Sequence, residues 1–181
     1  MRIIAGKAKG HSLRVPRDVA RPSTDRVRES VFGVLMERLP EAKALDLFAG
    51  SGALGLEALS RGAASCVFIE KDRHAVKTIT DNLKKTRLEG GTVIHREVED
   101  YLKTERNSYD LIFADPPYAD GISDLVGDLL DLDGWSDWLA DGGLLILEKE
   151  ARGENPLVHG LKLLREKDYG KSRILIYQRA D

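Results

Sequence analysis

Two short stretches of this chain hold residue types that could do chemistry. The first is DLFAGSGALGLEAL, from Asp46 to Leu59. Gly50, Gly52 and Gly55 fit a G-x-G-x-x-G spacing that follows an apolar, strand-like segment and opens a helical one. Glycines there let the backbone turn sharply and approach a ligand, and the start of the helix offers N–H groups. Gly52 is the position expected to face that ligand. Glu70 closes the next apolar segment, where a carboxylate can accept both ribose hydroxyls of a nucleotide-like molecule. The same residues would also serve a plain strand-to-helix turn with an incidental acid. The segments on both sides favour an adenosine-containing ligand. The pattern alone does not separate a dinucleotide from S-adenosylmethionine.

The second stretch is Asp115-Pro116-Pro117-Tyr118, directly after the apolar run YDLIFA. Two prolines in succession fix the backbone and aim the Asp115 carboxylate and the Pro116 carbonyl in set directions. Side-by-side acceptors suit an exocyclic amino group, and Tyr118 offers a flat face on which the base carrying that amine can stack. A rigid loop with an aromatic cap is the plainer alternative. The rarity of the tetrapeptide favours the site.

These stretches need a frame, and the hydrophobic pattern supplies one. Short apolar runs at Ala44–Phe48, Ser65–Glu70, Thr92–His95, Tyr109–Ala114 and Leu144–Glu148 read as strands. Helical spacing falls between them at Ala53–Ser60, Arg73–Thr86, Glu99–Thr104 and near Ile122–Leu132, with a further short segment at Trp135–Leu139. A helix starts near Asp25, capped by Thr24 or Ser23. It carries Val27, Val31, Val34, Leu35 and Leu39 on one face and is ended by Pro40. Two closing strands, Leu161–Arg165 and Ile174–Gln178, form an antiparallel hairpin. Alternating strands and helices predict an α/β, Rossmann-like fold: a mostly parallel central sheet covered on both faces, with binding residues at the carboxyl ends of its strands. Residues 1–16 predict a small β-hairpin or hooked arm, followed by a basic linker from Pro16 to Pro22. The division expected is an arm over 1–22 and a catalytic domain over 23–181, with residues 1–17 removable without loss of the fold.

Length and composition narrow the function classes. At 181 residues, with 42% hydrophobic and 32% charged side chains, the chain suits one domain with a well-solvated surface. No apolar run is long enough to span a membrane, and no signal peptide opens the chain. One cysteine, Cys66, excludes an internal disulfide, and with four scattered histidines it gives no metal-ligand spacing. Cys66 reads as a small core residue, and a cytoplasmic protein is expected. Residues 1–28 carry eight basic side chains against Asp18 and Asp25, while the rest of the chain is acidic overall. A basic end on an acidic body is the asymmetry of a protein whose arm touches a polyanion, although a solvated tail would look the same. No segment asks for a subunit partner, so a monomer is expected.

Taken together, DLFAGSGALGLEALSRGA, Glu70 and DPPY resemble a class I S-adenosylmethionine-dependent methyltransferase acting on an amino group of a nucleobase. MRIIAGKAKGHSLRVP followed by RPSTDRVRES, with YGKSRILIYQR at the end, narrows the resemblance to the bacterial 16S ribosomal RNA guanine-N2 methyltransferase family. Ser23 stands where that family usually has Thr. The resemblance implies S-adenosylmethionine as cofactor, held by Thr24, Arg26, Asp46, Phe48, Ala49, Gly50, Ser51, Gly52, Glu70, Lys71, Glu97, Val98 and Asp115. Within that set, Glu70 matches the ribose-binding acid and Glu97-Val98 the adenine-contacting position. Asp115, Pro116, Pro117 and Tyr118 match the catalytic loop. The implied partner is 16S rRNA within a small-subunit ribosomal particle, with Arg2, Lys7, Lys9, Arg14 and Arg17 on its phosphates.

Three other readings stay open from the sequence. An adenine-N6 methyltransferase would use the same DPPY, and only the family resemblance favours guanine. A nicotinamide-dependent oxidoreductase would use the glycine turn but leaves DPPY unexplained. A non-catalytic RNA-binding assembly factor would need degraded motifs, and neither motif is visibly degraded.

Overall fold

A computed structural model of the chain describes residues 1–16, 24–116, 130, 132 and 134–180. Arg17, Ser23, Pro117, Tyr118, the linker over 17–22 and most of the helix expected over 122–132 lie outside the described residues. The elements are α1 (Asp25–Val34), β1 (Lys43–Leu47), α2 (Ala53–Ser60), β2 (Ser65–Glu70), α3 (Arg73–Thr86) and β3 (Gly91–His95). After them come α4 (Val98–Leu102), β4 (Tyr109–Ala114), α5 (Trp135–Trp138), β5 (Leu139–Glu150), β6 (Leu161–Tyr169) and β7 (Ser172–Arg179).

The strands form one seven-stranded sheet in the order β3-β2-β1-β4-β5-β7-β6. Neighbours from β3 to β5 run parallel, and β7 is antiparallel to both β5 and β6. Alternate residues point to opposite faces of the sheet and divide the core in two. On one face Ala44, Leu111, Phe113 and Ile146 meet Val31, Phe32, Leu56 and Ile79 of α1, α2 and α3. On the other, Leu45, Leu47, Ile112 and Leu145 meet Tyr101, Leu102, Trp135 and Trp138 of α4 and α5. This is the doubly covered sheet expected from the alternation of elements. Cys66 is fully buried, as a core residue should be. Among the described residues, no helix is long and apolar enough to cross a membrane.

Three boundaries differ from expectation for identifiable reasons. The first helix was expected to run to Leu39, but α1 stops at Val34 and tightens into a 3₁₀ turn at Met36–Arg38. Gly33 weakens its last turn, and the tighter winding carries both Leu35 and Leu39 into the core while Val34 is left 41% exposed. Strand β5 begins at Leu139 rather than Leu144, with a register shift opposite Tyr109 and Leu111. Asp141-Gly142-Gly143 hid that extension from the hydrophobic pattern. Strand β6 runs on to Tyr169 through Arg165, Glu166, Lys167 and Asp168, charges suited to a sheet edge that must not pair with another chain.

The N-terminal arm is the hooked hairpin expected, closed by an antiparallel Arg2–Ser12 bridge and by bonds from the Ile3 N–H to the His11 carbonyl, the Gly10 N–H to the Ile3 carbonyl and the Leu13 N–H to the Met1 carbonyl. Its packing was not expected: Ile3, Ala8 and Leu13 are buried in the same apolar cluster as α1 and α2. Glu57 of α2, itself fully buried, accepts the Ile4 and Ala5 N–H groups at 2.8 and 3.0 Å and the Arg61 Nε–H at 2.7 Å. Arg28, also fully buried, donates to the Arg2 carbonyl at 2.8 Å and to Asp25 at 2.6 Å, with Nη1 3.9 Å from Glu57. At Gly6 (φ 84°) an added Cβ would lie 1.8 Å from the Ser60 carbonyl oxygen, so only glycine allows the arm to come this close.

Removing the Glu57 carboxylate leaves Arg28 as a buried charge with less compensation and leaves two arm N–H groups without their acceptor. Breaking a buried pair of this kind costs about 3–5 kcal/mol. Glu57→Ala is therefore expected to destabilise the fold by about that amount and to expose residues 1–16 to protease. Denaturant unfolding and limited proteolysis check this; an unchanged midpoint with a protected arm contradicts it.

Candidate active site

The glycine-rich turn leaves the carboxyl end of β1 with positive φ at Phe48 (59°), Gly50 (56°) and Gly52 (78°). For the non-glycine Phe48, such a backbone costs of order 1–3 kcal/mol and persists only where the surroundings hold it. Several bonds do so. The Ala49 N–H donates to the Ile69 carbonyl at 3.0 Å and the Gly50 N–H to Glu70 Oε2 at 2.8 Å. The second oxygen of Glu70 accepts the Asp72 N–H at 2.8 Å. Asp46 accepts the Gly55 N–H at 2.9 Å, and Asn82 of α3 donates to the Ser51 carbonyl at 3.0 Å. The turn is thus tied to β1, β2 and α3 at once.

At Gly52 the structure shows a packing reason beside the binding role expected of it. A Cβ there would meet Ile79 Cγ2 at 3.1 Å and Leu56 Cδ1 at 3.3 Å, inside the fold. Gly55 has a similar reason, since a Cβ would fall 2.3 Å from Phe68 and 2.6 Å from the Cys66 sulfur. Gly52 makes room between α2 and α3, and Gly55 lets α2 approach β2.

The second stretch meets the first because β1 and β4 are neighbours. Leu47 is paired with Ala114, so the residues that follow, Phe48 and Asp115, leave adjacent strand ends. Between these two strands the chain order reverses, with β2 and β3 on one side and β5 on the other. In open α/β sheets such a switch point is where ligands bind. Asp115 is half-buried and Pro116 buried. Asp115 also lines a cleft with Val27, Arg28 and Val31 of α1, Leu54 of α2, and Glu148 of β5.

Lys71, Glu97 and Val98 follow the carboxyl ends of β2 and β3, whereas Lys7 lies at the far end of α2, its N–H on the Ser60 carbonyl. Lys71 and Glu97 are exposed and form an ion pair at 3.5 Å, while Val98 is buried beside them in sequence. Glu97 holds the N-cap position of α4 without a capping side-chain bond, so its carboxylate is directed to Lys71. Thr24 caps α1 by accepting the Val27 N–H at 3.3 Å, and Arg26 is exposed on the first turn. Lys7 and Lys9 are exposed; Arg2 stands 4.0 Å from Asp25, and Arg14 3.4 Å from Asp81. Met1 reaches the glycine turn, its sulfur accepting the Ser51 hydroxyl at 3.6 Å.

Four buried polar residues at or behind the site were not singled out from the sequence: Arg28, Glu57, Asn82 and Glu148. Asn82 accepts the Arg14 N–H at 2.9 Å and donates to the Arg14 carbonyl at 3.0 Å while holding Ser51, so one side chain ties the arm to the turn. A usable signal was present: each acid or amide interrupts an otherwise apolar stripe of its helix or strand.

A sequence model of the family described as conserved hypothetical protein 95 matches residues 1–178. The chain is 39% identical over 181 residues to Ribosomal RNA small subunit methyltransferase D of Escherichia coli (strain K12), covering 99% of this chain and 90% of that protein. It is 36% identical over 185 residues to Putative rRNA methyltransferase YlbH of Bacillus subtilis (strain 168), covering 99% of each. The solved structure of putative methyltransferase yhhF from Escherichia coli superimposes with a TM-score of 0.86 at 39% identity, covering 99% of this chain and 97% of that one.

Burial pushes the Asp46 carboxyl up to about 8, with the Gly55 N–H opposing the rise and the charge of Glu70 adding to it. The folded state therefore holds a proton that the unfolded state releases from about pH 4 upward, and Asp46 makes stability fall as pH rises between about 4 and 8. Asp46→Asn keeps an acceptor for Gly55 and removes the titration. Measured by denaturant unfolding across pH, the stability of wild type relative to Asp46→Asn is expected to decline through that window and level off above it. A difference independent of pH contradicts the burial argument.

Proposed function

From the premise that the chain belongs to the conserved hypothetical protein 95 family, we propose that it is an S-adenosylmethionine-dependent RNA methyltransferase. In this reading it methylates the exocyclic N2 amine of a guanine in 16S rRNA, on a small-subunit ribosomal particle, as a monomer. The observation that carries the reading is the pairing of Leu47 with Ala114, which sets the glycine turn and Asp115 side by side at the switch point. The names of the relatives and the acceptor chemistry of Asp115-Pro116 support it from two further directions.

The residues present fit the cofactor. A carboxylate has about four acceptor sites, and Glu70 uses one on each oxygen for Gly50 and Asp72, which leaves capacity for a ribose diol. In this reading the turn from Phe48 to Gly52 holds the amino-acid end, Thr24 and Arg26 flank it, and Lys71, Glu97 and Val98 border the adenine. When bound, S-adenosylmethionine supplies an electrophilic methyl group on its sulfonium.

The amine of guanine is a poor nucleophile, because its lone pair is delocalised into the ring. Asp115 and the Pro116 carbonyl accept its two hydrogens, which holds the nitrogen in one orientation and favours a geometry with the lone pair free. As the nitrogen is alkylated it becomes acidic and sheds one of those protons to Asp115 or to water, so no strong base is needed. The work is positioning and electrostatics. Tyr118 stacks on the base once it has left its own stack, and Pro117 stiffens the loop between them. Arg2, Lys7, Lys9, Arg14 and Arg17 take phosphates and hold the register.

The test uses small-subunit particles from a strain lacking the enzyme, labelled cofactor, and nucleoside mass spectrometry of the product. N2-methylguanosine at one mapped position is expected. Asp115→Ala should lower the rate on the order of 10² to 10³ while calorimetry finds cofactor affinity within a few-fold of wild type. N6-methyladenosine as the product, or Asp115→Ala turning over at the wild-type rate, contradicts the assignment.

A further inference from the structure

The cleft beside Asp115 contains more polar chemistry than methyl transfer requires. Glu148 follows Leu147, which is paired with Ala114, so Asp115 and Glu148 leave neighbouring parallel strands one residue beyond that pair. Phe113 and Ile146, two residues earlier on each strand, face the cluster built on α1 and α2, and by alternation Asp115 and Glu148 point the same way. Both line the cleft there. Glu148 is 8% exposed. Arg28 of α1 also lines the cleft, fully buried and held by Asp25, the Arg2 carbonyl and, at 3.9 Å, Glu57. The remaining walls are Val27, Val31, Leu54, Ala114, Ile146 and Ile174, which are apolar.

Two carboxylates side by side on neighbouring strand ends suit a ligand edge that carries a row of adjacent donors. The Watson–Crick edge of guanine is such a row: two hydrogens on N2 and one on N1. Adenine presents a bare N1 acceptor where guanine carries its N1 hydrogen, and a carboxylate placed there repels it.

We propose that Glu148 is the residue that selects guanine, accepting the N1 hydrogen while Asp115 holds the N2 amine. This rests on the reaction proposed above and extends it from the choice of an amine to the choice of a base. Glu148 is thus a specificity residue and takes no part in the transfer. A site built around a hydrogen-bond donor on its substrate rejects an analogue lacking that donor by up to about 10⁴. The comparison is therefore between two bases that share the reacting amine.

The experiment uses small-subunit particles reconstituted with 16S rRNA carrying either guanine or 2-aminopurine at the mapped position. 2-Aminopurine keeps the 2-amine and lacks both the N1 hydrogen and O6. Wild type is expected to prefer guanine by at least about a hundredfold in kcat/KM. In Glu148→Gln the amide can turn its NH₂ toward a bare N1, so the preference should fall at least tenfold, while cofactor affinity and thermal midpoint stay near wild type. Glu148→Asp, which keeps the acceptor, should retain the preference for guanine at a lower rate and guards against a merely structural loss. A folded Glu148→Gln enzyme with the wild-type preference overturns the assignment of Glu148 and leaves the reaction standing. Failure of the wild type to methylate guanine at N2 overturns both.

Discussion

The structure depends on one register, Leu47 opposite Ala114 in the two central parallel strands. That pairing lies where the strand order reverses, the place at which open α/β sheets take their ligands. A shift of one residue would turn Asp46 and Asp115 to the opposite face and separate the acceptor pair from the turn. Burial fixes the register: Ala44, Leu45 and Leu47 on β1, and Leu111, Ile112, Phe113 and Ala114 on β4, are all 1% exposed or less. A slip would exchange two well-packed faces. Core packing and site geometry are therefore the same constraint seen from two ends of the strands.

Buried polar groups make up the second layer of the account. Glu57 and Arg28 hold the arm against α1 and α2, and Asn82 joins the arm to the Ser51 carbonyl of the glycine turn. The segment whose basic side chains are proposed to meet RNA is thereby part of the support under the glycine turn. Charge at the surface and order at the turn share a scaffold, so the arm belongs to the fold thermodynamically even though its sequence composition sets it apart. Glu105, away from this edge, does similar structural work: it accepts the hydroxyls of Tyr101 and Tyr109, and its carboxyl is held down to about 2 by those bonds and by backbone N–H groups that outweigh its burial.

Much of this was legible in the sequence. Strands β2 and β4 and helices α2 and α3 fall where periodicity alone set them, because each is short, apolar on the proper face and bounded by turn residues. The glycine turn and the Asp115 loop stand at strand ends as expected. The arm's hairpin was legible but its burial was not, because Ile3, Ala8 and Leu13 are spaced irregularly and neither a helical nor a strand period reveals a segment that plugs a core. The packing role of Gly52 was not legible, because a glycine that makes room for Ile79 looks, in sequence, like one that makes room for a ligand. Arg28 and Glu148 escaped notice because long-range partners, not local pattern, give buried charges their meaning.

The central claim is that the crevice between β1 and β4 binds the adenosine cofactor with its reactive end toward Asp115. A crystal structure with S-adenosylhomocysteine tests this most directly. The account predicts the ribose hydroxyls at about 2.6–3.2 Å from the Glu70 carboxylate, the amino-acid end along Phe48 to Gly52, and the sulfur beside Asp115. A nucleoside bound elsewhere on the molecule, with Glu70 still engaged only by Gly50 and Asp72, would contradict it.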